Sequence, residues 1–72
     1  MNDRFTEVDG IRLKQLRRQR AVSLRELEDR SGIAYDTINR LELGKQRAQP
    51  RTIRRLSDAL GVEPRELMKE EE

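Results

Sequence analysis

The chain of 72 residues contains no cysteine, no histidine and no tryptophan, and one Phe and one Tyr are its only aromatic residues. The lack of cysteine excludes disulfides and cysteine-based zinc sites, which often stabilise domains of this size. Without Cys, His or a glycine-rich phosphate-binding loop, the sequence offers little from which acid–base or nucleophilic catalysis could be built. We therefore expect a protein that is not an enzyme, binds no metal or cofactor, and depends on one small core.

Long hydrophobic runs are missing as well. Hydrophobic residues make up 33% of the chain and charged residues 42%. No apolar stretch has the length of a transmembrane helix or the pattern of a signal peptide. The expectation is a soluble, cytoplasmic protein with no membrane partner.

The formal net charge of +2 conceals an uneven distribution of charge. Residues 10–57 contain thirteen Lys or Arg and five Asp or Glu, whereas residues 58–72 contain six acids and two basic residues. A basic body with an acidic end favours a polyanionic partner such as nucleic acid. The alternative is a solvated, arginine-rich surface without a specific partner.

The apolar spacing predicts five helices and no strand. Asp9 is a suitable N-cap for the first helix, and Ser23 with Glu26 forms a capping box for the second. Pro50 suits the first position of the fourth, where its missing N–H costs nothing. The predicted helices are Ile11–Arg20, Ser23–Ser31, Tyr35–Leu41, Pro50–Leu60 and a short one from Pro64.

One shared core must stabilise these short helices, because none is long enough to be stable alone. Ile11 is expected to join the buried stripe of the first helix. The other predicted core residues are Leu13, Leu16, Val22, Leu27, Ile33, Ile38, Leu41, Ile53, Leu56, Leu60, Val62 and Leu67. Residues 1–8 are predicted to form a flexible arm, residues 9–68 a single domain, and residues 69–72 an acidic tail.

The second and third helices, joined by a tight turn at Gly32, match the helix-turn-helix unit. Three stretches, "GIRLKQLRRQRAVSLRELEDRSGI", "TINRLELGK" and "PRTIRRLSDALGVEPREL", resemble the lambda-repressor-like domains, the Cro and phage-repressor type of the XRE family. The resemblance covers nearly all of residues 10–67. It implies an all-α, compact five-helix domain with the helix-turn-helix at helices 2 and 3.

The resemblance also implies a role for individual residues. Arg17 and Glu42 match a structural ion pair of the family. The positions that face bases in the major groove are Tyr35, Asp36, Thr37, Asn39 and Arg40. The positions that meet phosphates are Ser23, Lys45, Arg47 and Arg51.

Side-chain chemistry supports two of the base-reading positions independently, because Arg pairs with guanine and Asn with adenine in the major groove. The alternative role for Tyr35 is to cover the turn by packing against it. Asp36 has the alternative of steadying the helix dipole.

Three positions depart from the family pattern. Ala21 stands where Gly often ends the first helix, so a left-handed residue there would be strained. Leu24 replaces a Gln that contacts DNA in many members. Glu28 replaces a small Ala, and is expected to point outward or to find a basic partner such as Arg40.

These features predict a sequence-specific, double-stranded DNA-binding transcriptional regulator, most simply a repressor, on a pseudo-palindromic operator. If the protein forms a homodimer, the natural surface is the helix 4–5 region with Val62, Leu67 and Met68. Monomers that meet only on DNA are an equal alternative. The competing function is a protein-interaction module of the same fold, such as an antitoxin or adaptor.

Overall fold

The fold, taken from a computed structural model that describes residues 5–69, consists of four α-helices and one short 3-10 helix. The α-helices are α1 (Gly10–Gln19), α2 (Leu24–Ser31), α3 (Tyr35–Glu42) and α4 (Pro50–Leu60), and the 3-10 helix is Pro64–Leu67. Residues 5–69 contain no strand beyond two isolated β-bridges. The all-α prediction is therefore confirmed, and the count of five α-helices is wrong by one.

The last element stops as a short 3-10 helix because the backbone at its end pairs with the segment before α1. Met68 has extended dihedral angles, φ −100° and ψ 142°, and forms an antiparallel bridge with Val8. The Asp9 N–H also donates to the Leu67 carbonyl over 2.8 Å. A helix that continued past Leu67 would lose both contacts.

Local signals in the sequence place the helix ends. The Asp9 side chain accepts from the Arg12 N–H at the start of α1, and Ser23 and Glu26 form the capping box of α2. Gly32 closes α2 with φ 78°, in the left-handed region that glycine adopts without steric cost. The capping box and Gly32 thus set the two ends of α2, and Gly32 begins the short turn that leads to α3.

Of the thirteen residues predicted to be buried, ten lie in the core, and Ile33 and Val62 are half-buried at its edge. Val8 and Ala48 complete it, and the sequence pattern gave no sign of either. Ile11 is 73% exposed, which contradicts its predicted burial. The buried stripe of α1 is Gly10, Leu13 and Leu16, so the helix turns Ile11 outward.

The segment before α1 belongs to the domain, at least from Thr6 onward. Thr6 and Ala48 exchange two backbone hydrogen bonds of 2.7 and 3.0 Å, and Val8 is buried. Residues 6–8 of the predicted arm therefore pack against the domain in the structure, and the flexibility of the arm stays a prediction. Residues 1–4, like the acidic residues Glu70–Glu72, lie outside the described residues.

Two further expectations concern surfaces. Leu67 is fully buried, so it cannot contribute to a dimer surface as predicted. The longest helix in the described part of the chain has eleven residues, and none there has the length and apolar character that crossing a membrane requires.

Gly10 lets α1 approach α3 closely. A methyl group at Gly10 would lie 2.6 Å from the carbonyl oxygen of Glu42 and closer still to that of Leu41. Any side chain there would force the two helices apart. The separation between α1 and α3 is therefore set by contact between backbones.

Ala21 ends α1 in the left-handed conformation, with φ 56°. This is the strain that the sequence predicted for a position where glycine is common. The conformation lets the N–H groups of Ala21 and Val22 donate to the carbonyls of Arg18 and Arg17, over 2.9 and 3.1 Å. Strain at Ala21 is thus the cost of closing the helix end.

Replacing Ala21 with Gly is expected to raise the free energy of unfolding by about 0.5–1 kcal/mol, since relief of the left-handed strain outweighs the greater freedom of glycine when unfolded. Chemical denaturation followed by circular dichroism measures the change. Ala59→Gly, inside α4, is the matched control and should lower the same free energy by about 1 kcal/mol. A loss of stability in Ala21→Gly would contradict the assignment of strain.

Candidate nucleic-acid interface

The helix α3 has one buried side and one polar, exposed side. Ile38, Leu41 and Glu42 are buried against the rest of the domain. Of the five predicted base-reading residues, four are exposed and Thr37 is half-buried: Tyr35, Asp36, Asn39 and Arg40 form the exposed set. All five lie on one helix of eight residues, and four of them are exposed.

An ion pair between Arg17 and Glu42 joins α1 to the end of α3. The Arg17 Nε lies 2.7 Å from one carboxylate oxygen of Glu42, and its Nη2 lies 3.1 Å from the other. A third donor, Nη1, reaches the Val22 carbonyl at 2.8 Å. The side chains are only 12% and 3% exposed, so little water competes for these bonds.

The predicted phosphate contact at Ser23 lies within the capping box. The Ser23 N–H donates to Glu26 Oε1 over 2.8 Å, and the Glu26 N–H donates to Ser23 Oγ over 3.0 Å. Chiefly the backbone hydrogen bond from Ser23, then its side-chain bond, holds the pKa of Glu26 below its ordinary value. The stabilisation that this carboxylate contributes is complete near neutral pH and is lost as pH falls through the lowered pKa.

Arg25 is exposed next to the start of α3, and the sequence pattern did not single it out. Its guanidinium carbon lies 4.3 Å from the centre of the Tyr35 ring, which is the geometry of a cation–π contact. The two residues are ten positions apart and on different helices, so no periodicity or motif links them. Only the packing of α2 against α3 brings them together.

Asp36 and Arg40 are one turn apart on α3, with a carboxylate-to-guanidinium distance of 3.6 Å. Both side chains are more than half exposed, so the pair contributes little to stability. Arg40 is therefore not the partner of Glu28, which is half-buried and forms no ion pair within residues 5–69. Leu24, at the position where many related domains have Gln, packs against the core.

The remaining predicted phosphate-binding residues are exposed and follow α3 in sequence. The Lys45 N–H donates to the Arg40 carbonyl over 2.9 Å, which ties the loop to the end of α3. Lys45 and Arg47 line a shallow surface hollow together with Glu7 and Lys69. Arg51 lies in the first turn of α4.

Replacing Glu42 with Gln should lower the free energy of unfolding by about 3 kcal/mol, because it leaves the nearly buried charge of Arg17 without a counter-charge. Thermal or chemical unfolding measures the loss. Asp36→Asn removes an acid from the exposed side of the same helix and serves as the control, with an expected change of less than about 0.5 kcal/mol. Equal effects of the two substitutions would show that the Arg17–Glu42 pair contributes no more than a surface charge.

Known proteins share the sequence pattern and the fold of this chain. A family model described as a helix-turn-helix domain matches residues 10–70. The restriction-modification controller protein C.AhdI from Aeromonas hydrophila is 33% identical, with a TM-score of 0.76 over 79% of this chain and 86% of that chain. A search among curated proteins finds no match.

Two more solved structures share the fold at 24% identity. The DNA-binding domain of BldD has a TM-score of 0.73 over 96% of this chain and 100% of that domain. PhpD, solved with cadmium, has a TM-score of 0.76 over 92% of this chain but only 14% of its own. The family match and the C.AhdI similarity, which both extend over most of the residues described above, show that the chain belongs to the helix-turn-helix domain family.

Proposed function

We propose that the chain is a sequence-specific, double-stranded DNA-binding transcriptional regulator that places α3 in the major groove. The observation that carries the proposal is the two-sided character of α3, with a firmly anchored inner side and an outer side of varied donors and acceptors. A groove about 12 Å wide admits one such helix. The resemblance to C.AhdI, a restriction-modification controller protein, agrees with a regulatory role.

Asn39 and Arg40 are the strongest candidates for reading bases. Both are exposed near the middle of α3, and their side chains offer the bidentate patterns that fit adenine and guanine. Asp36 can accept a hydrogen bond from cytosine, but in the free protein it lies beside Arg40. Thr37, half-buried, can reach either a base edge or the backbone.

Phosphate binding is assigned to Ser23 at the start of α2 and to the basic residues after α3. Lys45, Arg47 and Arg51 are exposed on the loop and on the first turn of α4. Neutralising several phosphates releases counterions, so binding should weaken steeply as salt increases. Occupying promoter DNA in this way makes repression the simplest regulatory outcome.

Selection from a randomised duplex pool should enrich a short symmetric motif. Arg40→Ala is expected to relax one base position, because a bidentate contact discriminates by about 1–3 kcal/mol. Arg51→Ala should instead weaken all sequences alike and reduce the salt slope by about 1. Arg65→Ala, which removes a charge from the 3-10 helix, is the control and should change neither property.

The same selection distinguishes the proposed regulator from a protein-interaction module. Two exposed apolar side chains, Ile11 and Leu43, each follow a residue of the close contact between α1 and α3. They favour a protein-interaction module as the second candidate function. A pool that shows no enriched motif, with weak binding that salt alone controls, would exclude the regulator and leave this second candidate.

Two copies of the chain are proposed to occupy half-sites about 34 Å apart, one turn of the double helix. Since Leu67 is in the core, Val62 and Met68 remain as the surface for a dimer. Native mass spectrometry should find two chains on the full selected duplex and one on a half-site duplex. One chain on the full duplex would contradict the paired arrangement.

A further inference from the structure

The contact between Arg25 and Tyr35 joins the first turn of α2 to the first residue of α3. Both residues are exposed, so the cation–π contact lies at the surface and at the N-terminal edge of the proposed base-reading helix. It contributes only modestly to stability at an exposed site. A role in presenting the guanidinium is therefore a better explanation for it than packing.

Arg25 has acidic neighbours on its own helix that it does not use. Glu28 and Asp29 stand three and four positions further along α2, at the spacings where charged side chains meet on a helix surface. Across residues 5–69 Arg25 nevertheless forms no ion pair, and its guanidinium lies over the Tyr35 ring instead. The positive charge of Arg25 is therefore left without a paired carboxylate.

Stacking leaves the hydrogen-bonding edge of the guanidinium available. The guanidinium carbon lies over the Tyr35 ring, while the N–H donors of an arginine point outward in the plane of the group. That planar edge matches the oxygens of a phosphate in a bidentate arrangement. The ring also restricts the guanidinium, so less freedom remains to be lost when an anion binds.

A cation at the start of α2 would strengthen the phosphate contact proposed there for Ser23. The N–H groups of Ser23 and Glu26 are already satisfied inside the capping box. The Glu26 carboxylate also adds a negative charge at this helix end. Arg25 brings a positive charge to the same first turn of α2.

We propose that Arg25 binds a phosphate of the DNA backbone next to the N-terminus of α3, and that Tyr35 is a positioning residue that holds it there. The inference rests on the proposed DNA-binding function, because it names one further contact of the same surface. It also gives Tyr35 a role that needs the face of its ring and not its hydroxyl. In a helix-turn-helix the helix before the reading helix crosses the backbone, which agrees with a phosphate at this place.

The test uses a mixed-sequence duplex, since a phosphate contact does not depend on base sequence. Affinity is measured by fluorescence anisotropy from about 50 to 200 mM salt for the full chain and its variants. Arg25→Ala should weaken binding by about fivefold to tenfold and reduce the salt slope by about 1. Arg30→Ala, which removes the same charge from the other end of α2, is the matched control and should keep the wild-type slope.

Variants of Tyr35 separate positioning from direct contact. Tyr35→Phe keeps the ring face and should bind like the wild type, whereas Tyr35→Ala should lose affinity nearly as Arg25→Ala does. The double variant Arg25→Ala/Tyr35→Ala should be no weaker than Arg25→Ala alone, because the two residues act as one unit. Circular dichroism of each variant confirms that the fold is retained, and both positions are exposed enough for that to be expected.

Each result decides a different claim. A wild-type salt slope in Arg25→Ala, or an equal loss in Tyr35→Phe and Tyr35→Ala, would overturn the inference while leaving DNA binding intact. An effect of Arg30→Ala equal to that of Arg25→Ala would also overturn it, because general charge would then explain the loss. A wild-type chain that binds no duplex would overturn the proposed function itself.

Discussion

The Arg17–Glu42 ion pair is the interaction on which the rest of the architecture depends. The helix α3 has eight residues, fewer than an isolated helix needs for stability in water, so its position comes from contacts with its neighbours. The planar fork of Arg17 fixes both oxygens of Glu42 and, through the Val22 carbonyl, the turn before α2. One side chain thereby aligns the end of α1, the start of the turn and the end of α3.

Such a pair suits orientation better than bulk stability. Two charges lose much of their hydration when they are nearly buried, and their mutual attraction only partly offsets that loss. A hydrophobic pair could fill the same volume, but its contacts would have no preferred direction. The two hydrogen bonds of the fork are directional, and under the proposed function they would help to hold α3 in one orientation toward the groove.

The sequence predicted the helices well because their signals are local. Capping residues, Pro50 and Gly32 act within a few positions, and the 3.6-residue period selected most of the core. The predicted burial of Ile11 was wrong because the buried stripe of α1 begins one position earlier, at Gly10. A glycine has no side chain that would mark its position as apolar in the sequence. Val8 and Ala48 were missed because distant backbone pairing, with no helical period, buries them.

The candidate surface was predictable only in part for the same reason. A resemblance to a family supplies positions on one helix, and the structure shows the side chains of those positions mostly exposed. The family resemblance cannot supply those contacts between helices that occur in this chain in particular. The stacking of Arg25 on Tyr35 and the pairing of Asp36 with Arg40 depend on relative helix placement and on rotamers. Neither follows from spacing within a motif.

The close approach at Gly10 has a consequence for how this domain can change. Because backbone atoms and not side chains are in contact at this point, the size of the core side chains does not set how near α1 and α3 can come there. The outer face of α3 can therefore vary independently of the scaffold. Under the proposed function, new operator preferences are open to substitution at Asn39 or Arg40 alone, without any compensating change in the core.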